Sequence, residues 1–336
     1  LTRIEDDREA ISCTFGVPPG IPIQSIQQGL SDPHRAGRAV SIITFVTAGS
    51  AQKIVYKPKD MNLDKTYQAA LGGLNDRSDL PPLKTLAVHC GDGYGYMEYV
   101  PHVLCRNQQE LDGFYFNVGR LTAVLHILGC TDCHHQNLIA NGEHLVFIDT
   151  ETLFEDYVPS HAAESETERD ASPIGELRRR FHGSVLRSGL IPMWRFIGPQ
   201  NIAIDMSALG IHSPSESTGL FPGWLALNCD GMMAGHIEQS VEVATSLPVG
   251  IGTKNPFKLY LDQFCEGFRQ QCGELIAHRP EWVSTGGVLE QFSGIPRRFV
   301  FRATRVYWAL QRQQLEPVAL RSSLHQFMKL EQLARS

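Results

Sequence analysis

The chain has 336 residues, 42% of them apolar and 20% charged, with a formal net charge of −6. That length suits one large domain or two lobes sharing a cleft, and the mild acidity excludes a general electrostatic footprint for nucleic acid. No apolar stretch approaches the ~20 residues of a membrane span, and the opening LTRIEDDREA, without Met or a signal peptide, reads as a fragment or a processed chain.

In chain order, AVSIITFVT (39–47) and KIVYKP (53–58) are β-branched and aromatic runs joined by AGSAQ, and they predict a hairpin. SDPHRAG (31–37) reads as a turn before the first of these strands. A short helix is expected over 62–74, then a long apolar strand pair, TLAVHC and YGYMEYV, around the turn GDG. Residues 109–129 place apolar side chains at 111, 114, 118, 121, 125 and 128, a helical period that Gly129 would stop. The strand NLIA, the turn signal Asn141-Gly142 and the strand HLVFID follow. Residues 155–182 are polar and acidic and read as a mobile surface loop; the remainder mixes helical patterns with Gly/Pro loops. This order predicts an α+β chain of the bilobal protein/lipid kinase-like class, with a sheet-rich N-lobe over 1–100 and a mainly helical C-lobe over 101–336.

GCTDCHHQNLIA (129–140) can be read in two ways. Cys130-Thr131-Asp132-Cys133-His134 has the C-x-x-C-H spacing of haem attachment, and the same run holds Asp132, His134 and Asn137 at the spacing of a phosphotransferase loop. The eight cysteines, at 13, 90, 105, 130, 133, 229, 265 and 272, are scattered too thinly for a disulfide scaffold, so reduced thiols and a cytoplasmic location are the default. Covalent haem attachment of that type belongs outside a reducing cytoplasm, and zinc would need a second ligand pair where the chain has no other C-x-x-C. The carboxylate reading is therefore preferred, with Cys130 and Cys133 packed beside the loop. Phosphoryl transfer from ATP needs a carboxylate to orient the hydroxyl, oxygen ligands for Mg²⁺ and a lysine for the phosphates. Asn137 stands five residues after Asp132, and Asp149 stands seventeen after it, beyond a short hairpin; Glu151 falls on the same side of an extended strand. Lys57, ending its strand in VYKP, is the phosphate candidate, although Lys53 and Lys59 share its face by strand alternation. GDGYG (91–95) follows the lysine strand instead of preceding it and reads as a plain turn. SDPHRAGR, with Asp32, His34, Gly37 and Arg38, is the better cover for a nucleotide.

SDPHRAGRAV, IVYKP, YGYMEYVP, GCTDCHHQNLIANGEHLVFIDTETLF, GSVLRSGLIP and RRFVFRATRVYWAL together resemble the dehydratase domain of class II lanthipeptide synthetases (LanM enzymes), from about residue 30 to 320. The resemblance implies an enzyme that phosphorylates Ser and Thr of a ribosomal precursor peptide, a leader with a Ser/Thr/Cys core, and then eliminates phosphate to give dehydroalanine and dehydrobutyrine. It makes Lys57, Asp132, His134, Asn137, Asp149 and Glu151 the phosphorylation set. ATP/ADP is the nucleotide, Asn137 and Asp149 hold Mg²⁺, Asp132 orients the hydroxyl and His134 is the active-site histidine. It makes Arg298 and Thr304, six apart in the motif region 296–310, the elimination pair, and Asp32 and His34 a further pair. A guanidinium suits a leaving phosphate because its fork binds the anion at two oxygens. A LanM enzyme carries a sizeable segment before this region and a zinc-dependent cyclase after it. Neither lies within these 336 residues, so no thioether ring closure and no zinc are expected of them. The region expected over 62–74 offers no Glu to pair with Lys57 as in ordinary kinases, and only Asp64 as a weak substitute. A phosphotransferase that stops at the phosphate, and an inactive scaffold that binds nucleotide or peptide, are the competing expectations.

Overall fold

A computed structural model describes residues 1–31, 38–47, 50–155, 173–197, 202–205, 207–210, 218–226, 229–240, 245–249, 256–297 and 322–335. The chain divides into two compact units, Leu1–Arg297 and Arg298–Ser336.

The first unit opens with two short helices, α1 (Thr2–Asp6) and α2 (Arg8–Phe15), and an antiparallel sheet of β1 (Ile23–Gln27), β2 (Ser41–Thr47), β3 (Ser50–Lys57), β5 (Gly95–Glu98) and β4 (Val88–Cys90), in that spatial order. Alternation gives its two faces different work. Ile43, Phe45, Ile54 and Tyr96 form one core with Ile4 and Ile11 of the two short helices. On the opposite face Met97 joins Met61, Leu86, Val100 and Val146. Val55 pairs with Met97 and Lys57 with Gly95, so Lys57 shares the face that meets Val146.

The hairpin expected over 39–58 is present as β2 and β3, closed by the Thr47–Ser50 pair. The strands expected at 85–90 and 94–100 are shorter than their apolar runs, leaving β4 and β5. Gly91 N–H donates to Tyr94 O across the GDG turn, 2.8 Å. The helix expected over 62–74 continues three residues further, as α3 (Asn62–Arg77).

The larger core surrounds α4 (Gln108–Ile127), which buries Phe114, Tyr115, Val118, Leu121, Val124 and Leu125. Its start is set by Asn107, whose side chain accepts from Glu110 N–H at 3.0 Å, while the Glu110 carboxylate accepts from Arg106 N–H at 2.7 Å. The two acceptors quiet donors that the first turn cannot use. Against α4 lies α7 (Leu261–Ala277), preceded by α6 (Pro256–Leu259) and followed by α8 (Arg279–Val283). Gly119 and Gly267 face each other's backbones here. A Cβ on Gly119 would meet Phe268 N at 2.8 Å, and one on Gly267 would meet the carbonyl carbon of Phe116 at 2.8 Å.

After α4 the chain turns at Gly129, φ +63°, and runs through the loop 130–137 into the hairpin β6 (Leu138–Asn141) and β7 (His144–Phe147). The loop expected over 155–182 is corrected in part: residues 173–182 form α5 (Pro173–His182), followed by a 3₁₀ turn at Val185–Ser188. The helix escaped notice because it closes a long polar, acidic run and carries only Ile174, Leu177 and Phe181 as large apolar residues, although these recur at helical spacing. Glu176 adds pairs at helical spacing with Arg179 and Arg180, at 2.8 and 2.7 Å. Two separate ribbons, β8 (Trp194–Ile197) with β9 (Ile202–Asp205) and β10 (Thr218–Leu225) with β11 (Met233–Ser240), complete the strands of this unit among the described residues. In the second unit α9 (Ser323–Arg335) exposes Leu324, Phe327 and Met328. Among the described residues no helix is long and apolar enough to cross a membrane.

Candidate functional site

The end of β3 and the ends of the β6–β7 hairpin converge. Lys57 is buried and its ammonium donates to the carbonyl oxygen of Ile148. Ile148 N–H donates to Asn137 O at 3.0 Å. Asn137 in turn ties the loop together, its Nδ2 donating to Asp132 O at 2.9 Å and to Asp132 Oδ2 at 3.3 Å. His134 Nε2 is 3.5 Å from Asp132 Oδ1 and 3.4 Å from Asn137 Nδ2. Asp132, Asn137 and His134 thus form one cluster, and Ile148 links it to Lys57 and to the adjacent Asp149.

The loop has an inside and an outside. Cys130 and Cys133 are buried in the main core with their sulfurs 3.2 Å apart, and burial drives the Cys133 thiol well above its ordinary value. Asp132 between them is 51% exposed. The loop is braced from behind by the 3₁₀ turn, where Ser188 O accepts from Cys133 N–H at 2.7 Å. Gly189, φ +76°, then carries the chain away close to Thr131 O. The strand-like bridge between His134 and Ser207 holds the other side.

Two residues alter the electrostatics expected from the motif. Asp64, in the first turn of α3, is only 1% exposed, with Lys57 Nζ 3.6 Å from Oδ1 and Lys59 Nζ 3.6 Å from Oδ2. Asp64, expected only as a weak substitute, is thus the buried carboxylate opposite the lysine. Strand β3 ends at Lys57, which separates the three lysines that alternation placed on one face. Lys53 lies over the Tyr99 ring, 5.1 Å from its centre. Lys59, past the strand, contacts Asp149 Oδ1 at 2.7 Å and Glu151 Oε1 at 3.5 Å. Burial lowers the proton affinity of Lys57 against the pull of Asp64. For Lys59 burial acts the same way, but Asp64, Asp149 and Glu151 outweigh it and raise the value.

Burial pushes the Asp149 carboxyl up, and the ammonium groups of Lys59 and Lys57 overcome it, holding the group below its ordinary 3.8. A carboxyl depressed in the folded state stabilises the fold above its unfolded value and loses that contribution as pH falls through the folded value. The stability gap between the parent chain and Asp149→Asn should therefore be widest near neutral pH and close below pH 4; denaturant midpoints across that range measure it.

Magnesium takes oxygen ligands and keeps several waters. The Asp149 carboxylate, 37% exposed, and the Asn137 amide oxygen, whose nitrogen is committed to Asp132, are donors of that kind, with Glu151 close by. The donor chemistry fits a hard divalent cation. Of the expected site residues, Lys57, Asp132, His134, Asn137, Asp149 and Glu151 are brought together; Asp32, His34, Arg298 and Thr304 lie outside the described residues. Lys59 and Asp64, named from the sequence only as an alternative lysine and a weak substitute, join the site, and Ser188 is the member that motif spacing missed.

The profile of the family described as "Domain of unknown function (DUF4135)" matches residues 1–336. The sequence is also similar to the lacticin 481/lactococcin biosynthesis protein LcnDR2 of Lactococcus lactis subsp. lactis, with 26% identity over 168 residues, 47% of this chain and 17% of that protein. The match thus spans a small part of that relative's length.

Proposed function

The chain belongs to the DUF4135 family, and from that premise we propose that it is the dehydratase part of a LanM-like lanthipeptide synthetase. Its class is lanthipeptide modification, in keeping with the lantibiotic-biosynthesis relative, and its substrate is a ribosomal precursor peptide. In this reading the α+β elements of the first unit are those of a kinase-like fold, with residues 1–100 as its N-lobe. A cyclase on further chain is the expected companion for closing thioether rings. One observation supports the reading above others: a lysine from one sheet and an Asp/Asn loop from another hairpin meet at Ile148, beside a second aspartate.

In this reading Lys57 would fix the ATP phosphates, and Asn137 and Asp149 would hold magnesium, which would supply neutralisation of phosphate charge. Asp132, exposed at the loop surface, orients the Ser or Thr hydroxyl and takes its proton as the oxygen attacks the terminal phosphorus and ADP leaves. His134, within reach of Asp132, keeps that carboxylate in place. Elimination then passes the α-proton of the phosphorylated residue to a basic group while the electrons of the C–H bond form the C=C bond and the β C–O bond breaks. Inorganic phosphate departs; by the sequence resemblance alone, Arg298 and Thr304 are assigned to this elimination step and Asp32 and His34 as a further pair.

The test is incubation with ATP, Mg²⁺ and a Ser/Thr-rich precursor, read by peptide mass. Loss of water at Ser and Thr is expected. Accumulation of phosphopeptide alone would reduce the function to a phosphotransferase. Thermal stabilisation by Mg·ATP, worth roughly 2–3 kcal/mol at a hundredfold excess over Kd, without any mass change would leave a nucleotide-binding scaffold.

A further inference from the structure

Lys59 has a contact set that the reading above leaves unused. Its ammonium sits among three carboxylates, 2.7 Å from Asp149 Oδ1, 3.5 Å from Glu151 Oε1 and 3.6 Å from Asp64 Oδ2. Asp64 is almost wholly enclosed, and neither of its oxygens accepts a hydrogen bond. Lys57 and Lys59 are the cations that answer its charge. Lys57 is also committed to the Ile148 carbonyl, whereas Lys59 is shared between Asp64, the half-buried Asp149 and the mostly buried Glu151. Three carboxylates this close repel strongly unless a cation lies among them. A cation in direct contact with Asp149 also opposes any second positive charge arriving at the same carboxylate.

We propose that Lys59 is a positioning residue and the resident counter-ion of the Asp64, Asp149 and Glu151 carboxylates, holding the last two in place while competing with a divalent cation for Asp149. This rests on Asp149 being a cation ligand. The two effects of one ammonium have opposite signs. Removing its charge strengthens cation binding, because a competitor is gone. It weakens phosphoryl transfer, because Asp149 and Glu151 are no longer held. An ordinary structural ion pair would produce no such split.

The experiment measures Mn²⁺ uptake by electron paramagnetic resonance on the full chain without nucleotide, with Mg²⁺ competition, and separately the rate of phosphopeptide plus dehydrated peptide formation. Lys59→Met should bind the cation about tenfold more tightly and turn over about tenfold more slowly. Lys59→Gln keeps an N–H donor for Asp149 without the charge and should give the same direction, which covers the case in which the Met variant does not fold. Lys59→Arg should stay within about threefold of the parent in cation binding, since the charge is kept. Equal or weaker cation binding by the folded neutral variants overturns the proposal alone. Uptake by the parent that is unchanged in Asp149→Asn overturns the cation reading of Asp149, and the proposal with it.

Discussion

Asp132→Asn should leave the melting temperature of the chain unchanged and slow peptide phosphorylation by about 10²–10⁴-fold, the usual worth of a group that orients and accepts a proton. The expectation of unchanged stability comes from position. Asp132 is half exposed and its backbone carbonyl, which the substitution keeps, is the nearer acceptor for Asn137. The amide is the same size as the carboxylate, so the loop keeps its shape, braced by Cys133 and Ser188 through main-chain atoms. What is lost is negative charge at the one loop position that faces outward between two buried thiols. Peptide mass after timed incubation and a thermal melt of the same preparation check both halves. A fall in melting temperature matching the fall in rate would assign Asp132 a structural role instead.

Gly119→Ala should destabilise the chain by about 3 kcal/mol or more, which lowers the melting temperature by something on the order of 5–10 °C. Helix propensity alone argues the other way, since alanine in a helix interior is favoured over glycine by about 1 kcal/mol. Contact decides the sign. The added methyl would lie 2.8 Å from Phe268 N and 2.9 Å from the carbonyl carbon of Phe264, both backbone atoms that cannot swing aside. Helices α4 and α7 would have to separate, opening gaps around Phe114, Tyr115 and Phe264. Gly267→Ala meets Phe116 from the other side and should behave the same way. Gly273→Ala, in the same α7 with no atom within 4 Å of the new methyl, is the control and should stabilise by up to about 1 kcal/mol. Parallel melts of the three variants settle the question; a neutral Gly119→Ala would refute the close approach.

The parts of this architecture that were legible before the structure are those written in local periodicity. The alternating run ending in Lys57, the helical spacing from 111 to 125 and the hairpin after Asn137 all declare their shape within a few residues. So does the burial of the two cysteines, since the polar residue between them takes the outward direction. What local pattern could not supply is pairing across distance. Asp64 stands out in the sequence only as a weak partner for Lys57, and the fold alone shows it buried against both Lys57 and Lys59. Lys59 looks like a continuation of the strand until the strand stops at 57. Helix α5 passes for part of a surface loop because its stripe of Ile174, Leu177 and Phe181 is short and lies at the end of a long acidic run.

Ile148 is gripped twice, by Asn137 at its N–H and by Lys57 at its carbonyl, and both grips are on the main chain. Any amino acid with an N–H can therefore satisfy them; proline alone would forfeit one. The junction between the buried lysine and the Asp132–Asn137 loop is thus written in backbone geometry, and a search that scores side-chain identity will pass over the position that joins them.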